Sequence, residues 1–106
     1  MYSSELRKQV KRKCNITWED DDTNARLDEI IESAIPTLIH RLGIKDPDFD
    51  FSLPSQENQF FLNYCFYEWN HALNEFFDNY ADDMLTIRAK NEVEAYMESG
   101  EEVTNG

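Results

Sequence analysis

Between residues 55 and 99 the chain contains neither glycine nor proline. So long a stretch offers no ready place for a tight turn. With three Gly and three Pro in all 106 residues, a turn-rich sandwich or barrel is excluded. Within the stretch Leu62, Cys65, Phe66, Trp69, Ala72, Leu73, Phe76, Phe77, Tyr80, Met84 and Ile87 recur at a helical period for about seven turns. Ser55 is placed to cap its start. The reading is one long helix over residues 55–96, bent or briefly interrupted near residues 78–80, where Asp78 and Asn79 compete with the helix for backbone groups.

Two further helices precede it. Residues 4–14 place Leu6 and Val10 four apart behind Ser3 and Ser4 as candidate caps, and this short helix needs a neighbour to be stable. Asn15, Ile16, Thr17 and Trp18 break it. The acids Glu19 to Asp22 then suit the positive end of a helix dipole. Leu27, Ile30, Ile31, Ala34, Ile35, Leu38, Ile39 and Leu42 form one wide apolar stripe over residues 22–42, with Gly43 as the stop. Pro36 lies inside this run without shifting its phase, which predicts a kinked rather than a broken helix. Residues 44–54 are a loop whose Phe49, Phe51 and Leu53 alternate with polar residues and tuck rings beneath it. The expected architecture is all-α: a small bundle forming a single domain over residues 1–98, followed by a disordered acidic tail over 99–106.

Charge limits the function. Residues 1–13 hold five bases and one acid, whereas the remainder holds five bases and 21 acids, for a net charge of −12 overall. Such a body repels nucleic acid, so a DNA clamp is excluded. No run is long and apolar enough for a membrane span, and no secretory leader is visible, which places the chain in the cytoplasm as a soluble protein. Cys14 and Cys65 are then expected as reduced thiols partly in the core.

Few constellations point to chemistry. Asp46, Asp48, Asp50 and Glu57 occupy positions 1, 3, 5 and 12 of a calcium-loop frame, but Phe51 stands where the turn wants Gly and Pro54 stiffens the ninth position. The favoured reading is a solvated acidic loop. Glu68, His71 and Glu75 share one face of the expected helix, where an imidazole–carboxylate contact between His71 and Glu75 is the plain reading. No phosphate-binding glycine loop and no catalytic triad can be proposed, so no enzyme activity and no cofactor are expected. The stretch from Phe60 to Trp69 is richer in aromatic residues than one core stripe requires. Phe60, Tyr64 and Tyr67 fall outside the stripe through Leu62, Phe66, Trp69 and Leu73. They are either covered by the first two helices and the loop or form a subunit interface.

The order of these features resembles the small head–tail connector (adaptor, or head-completion) proteins of tailed bacteriophages. The resemblance rests on a short helix ending in Lys13-Cys14-Asn15-Ile16-Thr17, the acidic cluster at 19–22, and the Ile-rich helix ending Leu42-Gly43-Ile44. It continues through Tyr67-Glu68-Trp69-Asn70-His71-Ala72-Leu73-Asn74-Glu75-Phe76 and Asp78-Asn79-Tyr80 to Leu85-Thr86-Ile87-Arg88, and so spans residues 5–93. It implies an all-α, non-enzymatic subunit of a ring, typically a dodecamer, beneath the portal protein. Such a ring extends the DNA channel without specific DNA binding and docks the next connector, stopper or tail-completion protein. The implied location is the virion, after assembly from the host cytoplasm. An acidic wall would let DNA slide, and the basic residues Arg7, Lys8, Lys11 and Arg12 would meet an acidic patch of a neighbour. The alternatives are an acidic DNA mimic that inhibits a nucleic-acid-processing protein, and a metal-dependent sensor using the 46–57 loop.

Overall fold

The computed structural model describes residues 4–104, with side-chain surroundings through residue 97. Five helices and no strand occur among the described residues: α1 (Ser4–Lys13), α2 (Asp21–Arg41), α3 (Gln56–Trp69), α4 (Leu73–Asn79) and α5 (Ala81–Thr104). The all-α bundle is thus the architecture. Ser3 lies outside the described residues, as do 105 and 106 of the expected acidic tail. Residues 99–104, expected as part of a disordered tail, fall within the bounds of α5.

The first three helices share one stop chemistry. At each C-terminus a residue with φ near +60° reverses the chain: Asn15 (φ 59°), Gly43 (φ 66°) and His71 (φ 58°). In each case the next amide reaches back five residues: Ile16 to the Lys11 carbonyl, Ile44 to Ile39, and Ala72 to Tyr67, all at 2.8–3.0 Å. These are three Schellman motifs, which satisfy carbonyls the helix leaves open. The starts of α2 and α3 are also capped by side chains. The Asp20 carboxylate accepts from the Thr23 amide, and Ser55 Oγ accepts from the Asn58 amide.

Helix α2 runs unbroken through Pro36. The carbonyl that loses its donor belongs to Glu32, and both Glu32 and Pro36 lie on the exposed side of the helix, where water can replace the missing bond.

The single long helix expected over 55–96 is instead three helices. The second interruption, at Tyr80, is the one expected near 78–80; the first, at residues 70–72, was not expected. Its cause is the reversal at His71, assisted by Asn70, whose side-chain amide donates to the Phe66 carbonyl at 2.8 Å. The break swings α4 back against α3 and brings Phe76 under the rings of α3.

Helix α3 is the centre of the bundle and touches α1, α2, α4 and α5. One continuous core results, built from Leu6 and Val10 of α1, the stripe of α2, Phe51 of the loop, Phe60, Phe61, Tyr64 and Cys65 of α3, Phe76 and Ile87. Phe51 stacks on Phe61 with ring centroids 4.6 Å apart, and Phe49 meets Phe51 edge-on at 4.9 Å. The loop therefore tucks its rings inward as expected, whereas Leu53 is exposed. Asn58, buried on α3, ties the layers together: its amide donates to Gln9 Oε1 of α1 (2.8 Å) and to the Phe51 carbonyl (2.7 Å).

Candidate functional site

The sequence nominates two interaction surfaces and one metal loop, and the fold treats them differently. Phe60 and Tyr64, expected as candidate interface residues, are core residues with 3% and 4% exposure. The correction follows from the break at His71. With α4 folded back, Phe76 packs edge-on against Phe60 (5.0 Å), Tyr64 (5.4 Å) and Tyr67 (5.5 Å) and stacks on Tyr80 (4.8 Å). Tyr67 is half-buried against the same cluster. The rings of Phe60 and Tyr64 are thus enclosed within the chain itself. Burial also pushes the Tyr64 hydroxyl up, with the Glu68 carboxylate adding to the effect.

The basic helix is split between internal and external use. Arg7 makes a two-pronged pair with Asp28, Nε to Oδ1 at 3.0 Å and Nη2 to Oδ2 at 2.8 Å, which fixes α1 on α2. Lys11 donates to Glu19 Oε1 at 2.6 Å and to Asn24 Oδ1 at 3.4 Å, and its side chain is only 12% exposed. Hydrogen bonds from Lys11 and then Asn24 hold the Glu19 carboxyl below its ordinary range. Arg7 and Lys11 are therefore structural. Lys8, Arg12 and Lys13 are exposed, and Arg12 has only a 3.5 Å contact with Glu5. Lys8 and Arg12, with Lys11, Glu5 and Glu19, line a shallow depression of about 490 Å³ that also includes Ile16.

The calcium frame is not assembled. Asp46 Oδ1 accepts from the Asp48 amide, and Asp50 Oδ1 accepts from both the Ser52 amide and hydroxyl, so two of the loop carboxylates fold back on local turns. Glu57 faces the other way, accepting from Lys90 Nζ of α5 at 3.0 Å with its own side chain 6% exposed. Burial would raise the Glu57 carboxyl, but the Lys90 hydrogen bond and charge, with help from Asn91, bring it below the ordinary value. Among the described residues no group of three or more His, Cys, Asp or Glu is placed to hold a metal ion.

His71 does not form the expected helical pair with Glu75, because the helix ends there. Its Nε2 lies 3.2 Å from Arg26 Nη2, which also donates to the Trp69 carbonyl at 2.6 Å while the guanidinium covers the Trp69 ring at 4.2 Å. With Nε2 accepting from a guanidinium, the imidazole is engaged in closing the α2–α3 corner rather than facing a nucleophile. Cys14 and Cys65 are free thiols. Burial pushes Cys14 up to about 11 and Cys65 well above its usual value, so neither is a thiolate at neutral pH.

One surface escaped the sequence reading. Leu85, Val93, Tyr96 and Met97 on α5 and Trp18 after α1 are large apolar residues that are 49–69% exposed. The signal was available in the four-residue spacing of Leu85, Ala89, Val93 and Met97, on the side of α5 away from Met84 and Ile87. No helix among the described residues is long and apolar enough to cross a membrane. No family model, curated protein or solved structure matches the chain.

Proposed function

We propose that the chain is a structural subunit of a phage head–tail connector, assembling as a ring beneath the portal protein. What supports the reading is a division of the surface that a free-standing binding protein has no need of. Lys8, Arg12 and Lys13 are exposed on α1 and Trp18 is exposed just after it, while α5 carries an exposed apolar row with Asp82, Asp83 and Glu94 among its exposed acids. The resemblance over residues 5–93 supplies the second support. In this reading the acidic body forms part of a channel wall that does not retain DNA, since like charge repels phosphate within a Debye length of about 8–10 Å. The chain then resides in the virion at the head–tail junction.

The test is binding to purified, DNA-filled heads that carry portal and lack connector. Sedimentation of the heads is expected to carry the protein with them in a fixed ratio, and failure to co-sediment overturns the reading. A gel shift separates the inhibitor alternative: a DNA mimic displaces DNA from a nucleic-acid-binding target at low stoichiometry, whereas a connector subunit leaves such complexes intact.

A further inference from the structure

The exposed row on α5 is an apolar feature that the described residues leave uncovered. Leu85, Ala89, Val93 and Met97 follow one another at intervals of four, and all are exposed, Leu85 at 60%, Val93 at 55% and Met97 at 64%. At 1.5 Å per residue the row extends about 18 Å along the helix. The basic side chains near it are committed within the subunit: Arg88 pairs with Glu92 at 3.3 Å, and Lys90 pairs with Glu57. The charge left for a partner is that of Asp82, Asp83 and Glu94. Single exposed leucines are ordinary, but an aligned row of this kind is an interaction surface.

A complementary surface exists on the same chain. Around α1 the exposed bases Lys8 and Arg12 edge the depression over Ile16, whose lining also holds Lys11 paired with Glu19, and Glu5 within 3.5 Å of Arg12. Lys13 at the end of α1 adds a further exposed base, and Trp18, next in the chain to Thr17 of the lining, is 49% exposed. The aliphatic stems of these bases, with Trp18, provide apolar area that an incoming ridge can cover while their charged ends remain near water. Helix α1 packs on α2 and α3, whereas α5 packs on α3 and α4, so the two surfaces belong to separate parts of one subunit.

We infer that the α5 row of one copy docks on the basic α1 face of a second copy. The inference deepens the connector reading and rests on it for the occupant. Charge complementarity selects this pairing: α5 against α5 would oppose acid to acid, and an anionic membrane would be repelled by the same carboxylates. Because the two surfaces differ, the contact is heterologous. Each bound copy leaves one of each surface open, so addition continues until the ring closes.

The test uses two full-length variants that change only exposed residues: Lys8→Glu with Arg12→Glu, and Leu85→Ser with Val93→Ser. Far-ultraviolet circular dichroism checks that each remains folded. Should the serine pair unfold, Leu85→Gln takes its place. Molar mass is followed by sedimentation equilibrium at low salt up to millimolar concentration. The wild type is expected to associate reversibly and to dissociate as salt is added, and each variant is expected to be monomeric. An equimolar mixture of the two variants is expected to form dimers and to stop there, since only one intact α1 face can meet one intact α5 row. A wild type that stays monomeric throughout, a variant that associates like the wild type, or a mixture that gives no dimer overturns the pairing. Head binding judges the connector reading separately. A wild type that binds heads but fails the mixing test loses this contact alone, whereas one that passes the mixing test and ignores heads loses the connector assignment alone.

Discussion

Phe60 and Leu85 belong to the same glycine- and proline-free stretch and end in opposite surroundings, Phe60 at 3% exposure and Leu85 at 60%. Helix α3 buries residues on several sides because every other helix leans on it. Helix α5 buries only Ile87 among its described side chains, and beyond Asn91, whose amide donates to the Leu42 carbonyl at 2.8 Å, none is buried. Apolar content alone does not distinguish the two helices. What distinguishes them is cover: α4 doubles back over α3, and among the described residues none covers the Leu85–Met97 side of α5. The chain thus spends the rings of Phe60, Tyr64 and Phe76 on its core and leaves the apolar row of α5 exposed.

The contrast breaks most visibly at Phe76. Its ring is fully buried among those of Phe60, Tyr64, Tyr67, Phe77 and Tyr80, so Phe76→Ala is expected to cost about 3–5 kcal/mol in urea denaturation. A loss under about 1 kcal/mol would mean that α4 does not cover α3 as described. Gly43→Ala comes next. The residue sits at φ 66°, and an added Cβ would meet Arg88 Cγ at 3.1 Å and the Arg88 carbonyl at 3.4 Å. The expected cost is about 1–2 kcal/mol from the left-handed backbone, with further loss where α5 must shift.

Glu57 sharpens the same comparison, since its pair with Lys90 is what fastens α5 to α3. Its carboxyl is lower in the folded chain than its ordinary value, so the pair stabilises the fold above about pH 4.5 and loses that contribution as pH falls through the folded value. Glu57→Gln is expected to lower stability by about 1–2 kcal/mol at neutral pH, an amount tempered by the half-exposed Lys90 end. The difference from wild type should shrink in acid, and a constant difference across pH would show that the charge is not responsible. His71→Gly should act in the opposite direction. Glycine holds the left-handed turn without the Cβ penalty, so a gain of about 0.5–1 kcal/mol is expected in thermal unfolding, reduced by the lost Arg26 contact. Smallest of all, Leu85→Ser should change folding stability by under about 0.5 kcal/mol, because Leu85 is 60% exposed.

Much of the fold is legible along the chain. The stripe from Leu27 to Leu42 is the buried face of α2, Asn15 and Gly43 end their helices, Ser55 caps α3, and Phe51 enters the core. The candidate surfaces are less so. Lys8 and Arg12 are exposed as a basic face requires, but Arg7 and Lys11 are bound to Asp28 and Glu19, acids that lie further along the chain and meet them only after folding. The Asp46–Glu57 frame has the spacing of a cation loop, yet Glu57 turns toward Lys90, a partner that spacing cannot reveal.

Helical period and stop residues determined that this chain forms helices and where two of them end, because both act over a few residues and need no partner. Which aromatic surface is hidden and which aliphatic row remains bare was decided only by the packed chain. That outcome hangs on a reversal at His71, a residue that enters the left-handed region far less readily than glycine and that the surrounding hydrogen bonds and the Arg26 contact hold there.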